Sequence, residues 1–71
     1  MTIEKDFGIT VRNHRKKQGL SQEAFAEKAD IHRTYVSEIE LGKVEISLRV
    51  AEKISRALGV RLSKLIGEAK G

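Results

Sequence analysis

Four polar side chains near the middle of the chain could form hydrogen bonds with the edges of nucleic-acid bases. They are Arg33, Thr34, Ser37 and Glu38, which share the exposed side of a helix if this segment is helical. Arginine can donate twice to guanine, the threonine methyl can contact a thymine methyl, and glutamate can accept from cytosine. The alternative is an ordinary solvated helix face with the same residue types.

Catalytic chemistry is not expected. A hydrolytic site needs a nucleophile, a base and a group that orients the base around a cleft. Ser21 and Ser47 are better explained as helix N-caps, and neither His14 nor His32 has an evident acidic partner in the sequence. The chain has no cysteine and only two histidines, so we expect no metal and no cofactor. A domain this small also offers little concave surface, so no small-molecule ligand is expected.

The composition limits the class of protein. The chain has 71 residues, a net charge of +4 and 39% hydrophobic residues, which suits one domain over residues 1–71, with a core at about 5–66 and a short tail at 67–71. No apolar run has the length of a membrane span and no secretory signal is visible, so we expect a soluble, cytoplasmic protein without membrane contact. A small basic domain often binds nucleic acid, although solubilising surface charge is an equally good explanation.

The spacing of apolar residues predicts an all-α fold, a compact bundle of five helices. The predicted ranges are about 4–18, 22–28, 33–41, 48–58 and 62–66, with residues 68–71 as a frayed tail. On the fourth helix, the stripe expected to face the core comprises Leu48, Ala51, Ile54 and Leu58.

The second and third helices pose a physical problem, because isolated helices shorter than about 12 to 15 residues are marginal in water. They must therefore pack on their neighbours. Asp30, which tolerates left-handed backbone, marks the break between them. Two short helices in this arrangement allow the second to enter the major groove of DNA while the first lies across the backbone.

The stretch GLSQEAFAEKADIHRTYVSEIELGK, followed by SLRVAEKISRALGV, resembles the lambda-repressor-like helix-turn-helix family, also called XRE or Cro/C1. The resemblance extends from Phe7 to Ile66. Within the family, HRTYVSEIELG and the small size are most similar to the controller proteins of restriction–modification systems. The resemblance implies a five-helix bundle that binds double-stranded operator DNA as a homodimer.

Further roles follow from this resemblance. Gln22, at the start of the second helix, is implied to donate to a phosphate and to brace the third helix, although an ordinary helix-start residue is the alternative. The other phosphate candidates are His32, Tyr35, Lys43, Ser47 and Arg49, of which Tyr35 is also explained as a core ring and His32 as a turn residue. Arg15 and Glu40 match positions that form a partly buried ion pair between the first and third helices in the family.

The last helix is the expected dimer interface. It carries more apolar side chains than a peripheral helix needs, namely Val60, Leu62, Leu65 and Ile66, although all four could instead face the core of their own bundle. We therefore expect a sequence-specific transcriptional regulator on a palindromic operator, with the direction of regulation left open. The alternative is an antitoxin or another protein-interaction module, but an antitoxin usually adds a segment for its toxin, and only about five residues follow the predicted bundle.

Overall fold

Five α-helices account for most of residues 2–70, the part of the chain that the computed structural model describes. They are α1 (Ile3–Lys17), α2 (Gln22–Ala29), α3 (Arg33–Glu40), α4 (Leu48–Leu58) and α5 (Leu62–Lys70). The all-α, five-helix prediction is confirmed, and the predicted bounds of α4 are those observed. None of the helices in residues 2–70 combines the length and apolar character that crossing a membrane requires.

Side-chain caps determine where the helices begin. The hydroxyl of Ser21 accepts from the backbone N–H of Ala24 at 3.0 Å, and the hydroxyl of Ser47 accepts from that of Val50 at 3.1 Å. Both bonds satisfy a donor that would otherwise have no partner in the first helical turn. Asp30 ends α2 in the left-handed conformation, with φ 58° and ψ 48°, as its residue type predicted.

One apolar core joins all five helices. Its largest fully buried side chains are Val11, Phe25, Val36, Ile39, Ile54 and Leu65. The core stripe predicted for α4 is correct for Ala51, Ile54 and Leu58 but wrong for Leu48, whose residue surface is 81% exposed. Helical spacing places Leu48 on the stripe, but the first turn of α4 is largely uncovered, since Arg49 is exposed and Val50 only half-buried.

The carboxyl end of α5 departs from the sequence prediction. The helix continues to Lys70 instead of ending at Ile66, so the frayed tail predicted for residues 68–71 is wrong for residues 68–70. Gly71 lies outside the described residues. Ala69 is buried in the core, and Nε2 of His14 on α1 lies 2.6 Å from Oε1 of Glu68. His14 therefore has the acidic partner that its sequence neighbours do not provide, 54 residues further along the chain.

The His14–Glu68 contact predicts a specific pH dependence of stability. The hydrogen bond from His14 lowers the pKa of Glu68 below the ordinary glutamate value of 4.5. A carboxyl group whose pKa is depressed by folding stabilises the folded state above its ordinary pKa, and that contribution disappears as the pH falls through the depressed value. Glu68→Gln should therefore lower the melting temperature more at about pH 6 than at about pH 3.

Thermal melts followed by circular dichroism at both pH values test this expectation. Glu45→Gln, which removes an exposed loop carboxylate, is the matched control. An equal loss for Glu68→Gln at both pH values would show that the ionised carboxylate does not contribute to stability.

Candidate nucleic-acid interface

The polar ends of α2 and α3 form a single surface. Phe25 and Ala26 of α2 and Val36 and Ile39 of α3 are buried, which leaves the opposite side of α3 facing outward. A shallow polar depression on that side is lined by Gln22, Arg33, Thr34 and Ser37. The structure thus brings together three of the four residues predicted to contact bases, and it adds Gln22 beside them.

Arg33 and Thr34 are exposed at the first turn of α3, whereas Ser37 and Glu38 are half-buried one turn later. Glu38 does not line the depression. The amino-terminal end of α3 is consequently the part that a ligand reaches first. An exposed Arg33 in this position retains all its guanidinium donors for a partner, since none of them bonds to the protein within residues 2–70.

His32 is the N-cap of α3, a residue type with weak preference for that position. Its Nδ1 accepts from the backbone N–H of Thr34 at 3.1 Å, which requires Nδ1 to carry no proton. In the neutral ring the proton is then on Nε2, which is a donor at an exposed position beside the depression. His32 therefore caps the helix through Nδ1 and can still donate from Nε2 to a phosphate, as the contact predicted from the sequence requires.

An ion pair links α1 to α3 directly beneath this surface. Nε of Arg15 donates to Oε2 of Glu40 at 2.7 Å, and Nη2 donates to Oε1 at 3.0 Å, so the pair is bidentate. The side chains are 9% and 3% exposed. Nη1 of Arg15 also donates to the carbonyl of Leu20 at 2.8 Å, which ties the loop before α2 to the same group. The ion pair predicted from the resemblance is present.

Gln22 belongs to this network. Its Nε2 donates to Oε1 of Glu40 at 3.1 Å, so the orientation of its amide is set by the ion pair. One N–H of the amide is used in this bond, and the second N–H and the carbonyl oxygen remain for a ligand. The sequence indicated that Gln22 braces the third helix but did not identify Glu40 as its partner, because 18 residues separate the two positions. The phosphate contact of Gln22 stays a prediction.

Three of the remaining phosphate candidates occupy the loop after α3 and the start of α4, and the fourth, Tyr35, lies within α3. Lys43, Ser47 and Arg49 are all exposed. Ser47 uses a lone pair to cap α4, and its hydroxyl proton can still be donated. Tyr35 is half-buried and packs against the apolar core, while its residue type allows the hydroxyl to bond outside the core.

Comparison with known proteins identifies this arrangement. A family model described as helix-turn-helix matches residues 11–65, which include α2, α3 and α4 entirely. The chain belongs to the helix-turn-helix family. The control protein C.MunI of a Mycoplasma species is 49% identical to it over 67 residues, which are 93% of this chain and 90% of that protein.

Two solved structures share the fold of this helix-turn-helix protein. The restriction–modification controller protein C.AhdI of Aeromonas hydrophila is 34% identical, with a TM-score of 0.84 over 86% of this chain and 92% of that one. The controller protein C.Esp1396I, solved as a tetramer in complex with its natural 35 base-pair operator, is 25% identical. Its TM-score is 0.85, and the match covers 100% of this chain and 99% of that one.

The predicted dimer residues of the helix-turn-helix protein are only partly accessible. Leu65 is 0% exposed and lies in the core of its own bundle, so its assignment to the interface is corrected. Leu65→Glu is therefore expected to unfold the protein, because it would bury a charge in the core. Val60 and Leu62 are half-buried against the core, and Ile66 is 37% exposed. Leu48 was predicted to face the core, so the sequence did not identify it as an exposed apolar residue.

Proposed function

We propose that this protein is a transcriptional regulator that binds a palindromic operator as a homodimer and serves as the controller of a restriction–modification system. The observation that supports this most strongly is the 49% identity to the control protein C.MunI over nearly the full length of both chains. The operator-bound structure of C.Esp1396I, which matches the whole of this chain, supports the same function. Residues 1–71 then constitute one DNA-binding domain that acts in the cytoplasm and needs no catalytic centre.

In this function α3 enters the major groove with its amino-terminal end leading. Arg33 and Thr34 contact base edges first, and Ser37 and Glu38 follow one turn later. Around them, the phosphate contacts come from a set of exposed or half-buried donors: Gln22, His32, Tyr35, Lys43, Ser47 and Arg49. The ion pair of Arg15 and Glu40 holds the two short helices in the orientation that these contacts need.

Selection of duplexes from a random pool tests the proposal. The recovered sites should share a twofold-symmetric consensus whose half-sites are centred about 34 Å apart, one helical turn of DNA. Recovery of duplexes without any consensus would contradict sequence-specific binding. A methyltransferase or endonuclease gene adjacent to the gene of this protein would support the controller role, and its absence would argue for a different regulon.

Arg33→Ala should weaken binding to the selected site by about 1 to 3 kcal/mol and relax the preference at one base position of each half-site. The reason is that a bidentate contact with a base edge discriminates against the other bases. Titration of matched and scrambled duplexes measures the effect, with Arg12→Ala on the exposed side of α1 as the charge-matched control. Equal losses on both duplexes would assign Arg33 to the phosphate backbone.

Lys43→Ala should instead weaken binding to every sequence alike. Each lysine that neutralises a phosphate releases a counterion, so its removal reduces the slope of log K against log salt by about one. Binding measured at several salt concentrations gives this slope directly. An unchanged slope would place Lys43 away from the DNA backbone.

A further inference from the structure

Glu38 places an acidic side chain on the part of α3 that is expected to face DNA. It follows Thr34 by one helical turn and lies on the side of α3 opposite Val36 and Ile39, which are buried in the core. The residue is half-buried, so its carboxylate has only part of the hydration that a fully exposed one retains. Phosphates repel a carboxylate, and Glu38 therefore opposes the binding of DNA unless a donor on the DNA meets it.

The fold does not account for Glu38. Its carboxylate forms no hydrogen bond or ion pair within residues 2–70. No buried side-chain oxygen in that range lacks a partner, so the unpaired oxygens of Glu38 are accessible to solvent. Glu38 also lies in the last turn of α3, which contains no basic residue and where the helix dipole disfavours negative charge. A residue that opposes local stability without a compensating contact is expected at a functional position.

Lys43 approaches Glu38 through the backbone but does not neutralise it. The N–H of Lys43 donates to the carbonyl of Glu38 at 3.0 Å, so the loop after α3 turns back beside this residue. The ammonium group of Lys43 and the carboxylate of Glu38 nevertheless form no ion pair in the described part of the chain. In the proposed complex Lys43 contacts a phosphate, so the negative charge of Glu38 lies near the DNA backbone without a counter-charge from the protein.

Few groups on DNA can donate to a carboxylate. In the major groove, the donors on the bases are the N4 amino group of cytosine and the N6 amino group of adenine. The adenine donor lies beside the N7 acceptor of the same base, which repels a carboxylate, whereas the edge of cytosine presents its donor alone. Cytosine is therefore the base that best matches the unpaired carboxylate of Glu38.

We propose that Glu38 selects operator half-sites with a cytosine at the base pair that it faces, and lowers the affinity for DNA that has another base there. At cytosine the N4 amino group donates to the carboxylate, whereas at other bases the carboxylate loses hydration without gaining a partner. Specificity then comes partly from an unfavourable contact with wrong sites. The inference rests on the proposed function and deepens it, because a net charge of +4 attracts DNA of any sequence and a penalty on wrong sites raises the specificity ratio.

Glu38→Gln tests this selection, because it preserves the size of the side chain and removes the charge. The ratio of operator affinity to scrambled-duplex affinity should fall about tenfold, with weaker binding to the operator and stronger binding to the scrambled duplex. Glutamine forms two hydrogen bonds with adenine, so selection from a random pool should move the preference at one position of each half-site from cytosine to adenine. The melting temperature should not fall, since the substitution removes a negative charge from the last turn of α3.

Glu45→Gln is the matched control, since it removes an exposed carboxylate from the loop after α3. It should strengthen binding to both duplexes equally and leave the selected consensus unchanged. The same behaviour in Glu38→Gln would overturn the inference and identify Glu38 as plain surface charge, while the proposed function would stand. A consensus that Glu38→Gln changes at a base other than cytosine would also overturn it. Absence of any consensus for the wild-type protein would contradict the proposed function and the inference with it.

Discussion

Arg15→Ala should destabilise the protein by about 3 to 5 kcal/mol, a large part of the total stability of a domain of this size. The substitution leaves Glu40 buried, with one hydrogen bond from Gln22 in place of the bidentate guanidinium. A buried carboxylate without its counter-charge has lost its hydration and gains little in return. The Arg15→Ala substitution also removes the hydrogen bond from Arg15 to the carbonyl of Leu20, which loosens the loop before α2.

Urea denaturation of wild type and Arg15→Ala measures this loss. Arg56→Ala breaks the exposed pair with Glu52 and should change stability by less than about 1 kcal/mol. The double variant Arg15→Met with Glu40→Leu removes both charges, and buried ion pairs replaced in this way are often neutral or more stable. The double variant should therefore be more stable than Arg15→Ala.

The same double variant separates stability from DNA binding. It leaves Gln22 without the acceptor that orients its amide, so binding to the operator should stay weaker than in the wild type even where stability is restored. If the double variant is as unstable as Arg15→Ala, the loss of stability in Arg15→Ala comes from altered packing of the side chains and not from the unpaired charge of Glu40. Wild-type affinity in a stable double variant would show that Gln22 needs no orientation by Glu40.

Gly8→Ala is also expected to destabilise the protein, through a steric mechanism. The backbone of α1 approaches the end of α3 so closely that a Cβ atom on residue 8 would lie 2.2 Å from the carbonyl oxygen of Ile39 and 2.9 Å from that of Glu40. Both obstacles are backbone atoms, which cannot move aside as a flexible side chain can. The two helices must separate, at a cost of at least the roughly 1 to 3 kcal/mol typical of overpacking.

Gly67→Ala is the matched control for this prediction. Gly67 is also helical, but a Cβ atom there has no heavy atom of another element within 4 Å. Alanine at such a position favours the helix by about 0.5 to 1 kcal/mol, so the control should be more stable than wild type. Denaturation curves of both variants give the comparison, and a Gly8→Ala variant as stable as Gly67→Ala would show that α1 and α3 do not touch at residue 8.

Many features of this protein could be predicted from short-range signals in the sequence. Ser21 and Ser47 cap the helices that they precede, and Asp30 adopts the left-handed conformation that separates α2 from α3. The bounds of α4 and the exposure of Arg33 and Thr34 were also predictable. These features depend on interactions within one helical turn or on the choice between polar and apolar side chains, which a single sequence displays directly.

Other features were decided by the tertiary structure. Leu48 and Leu65 both have the spacing of core residues, yet Leu48 projects from the surface and Leu65 is enclosed. Helical periodicity shows which side chains share a face, but whether a distant segment covers that face depends on how the helices are arranged.

The same reason applies to the contacts that join separate helices. The partners of Gln22 and of His14, which are Glu40 and Glu68, lie far along the chain and meet only when the bundle closes. The extension of α5 to Lys70 also depends on packing of the bundle. Burial of Ala69 in the core and the hydrogen bond between His14 and Glu68 stabilise a last turn of α5 that local helix propensity alone does not predict. The local sequence of this protein thus determined the elements and their caps, and tertiary packing determined which faces remained free to bind.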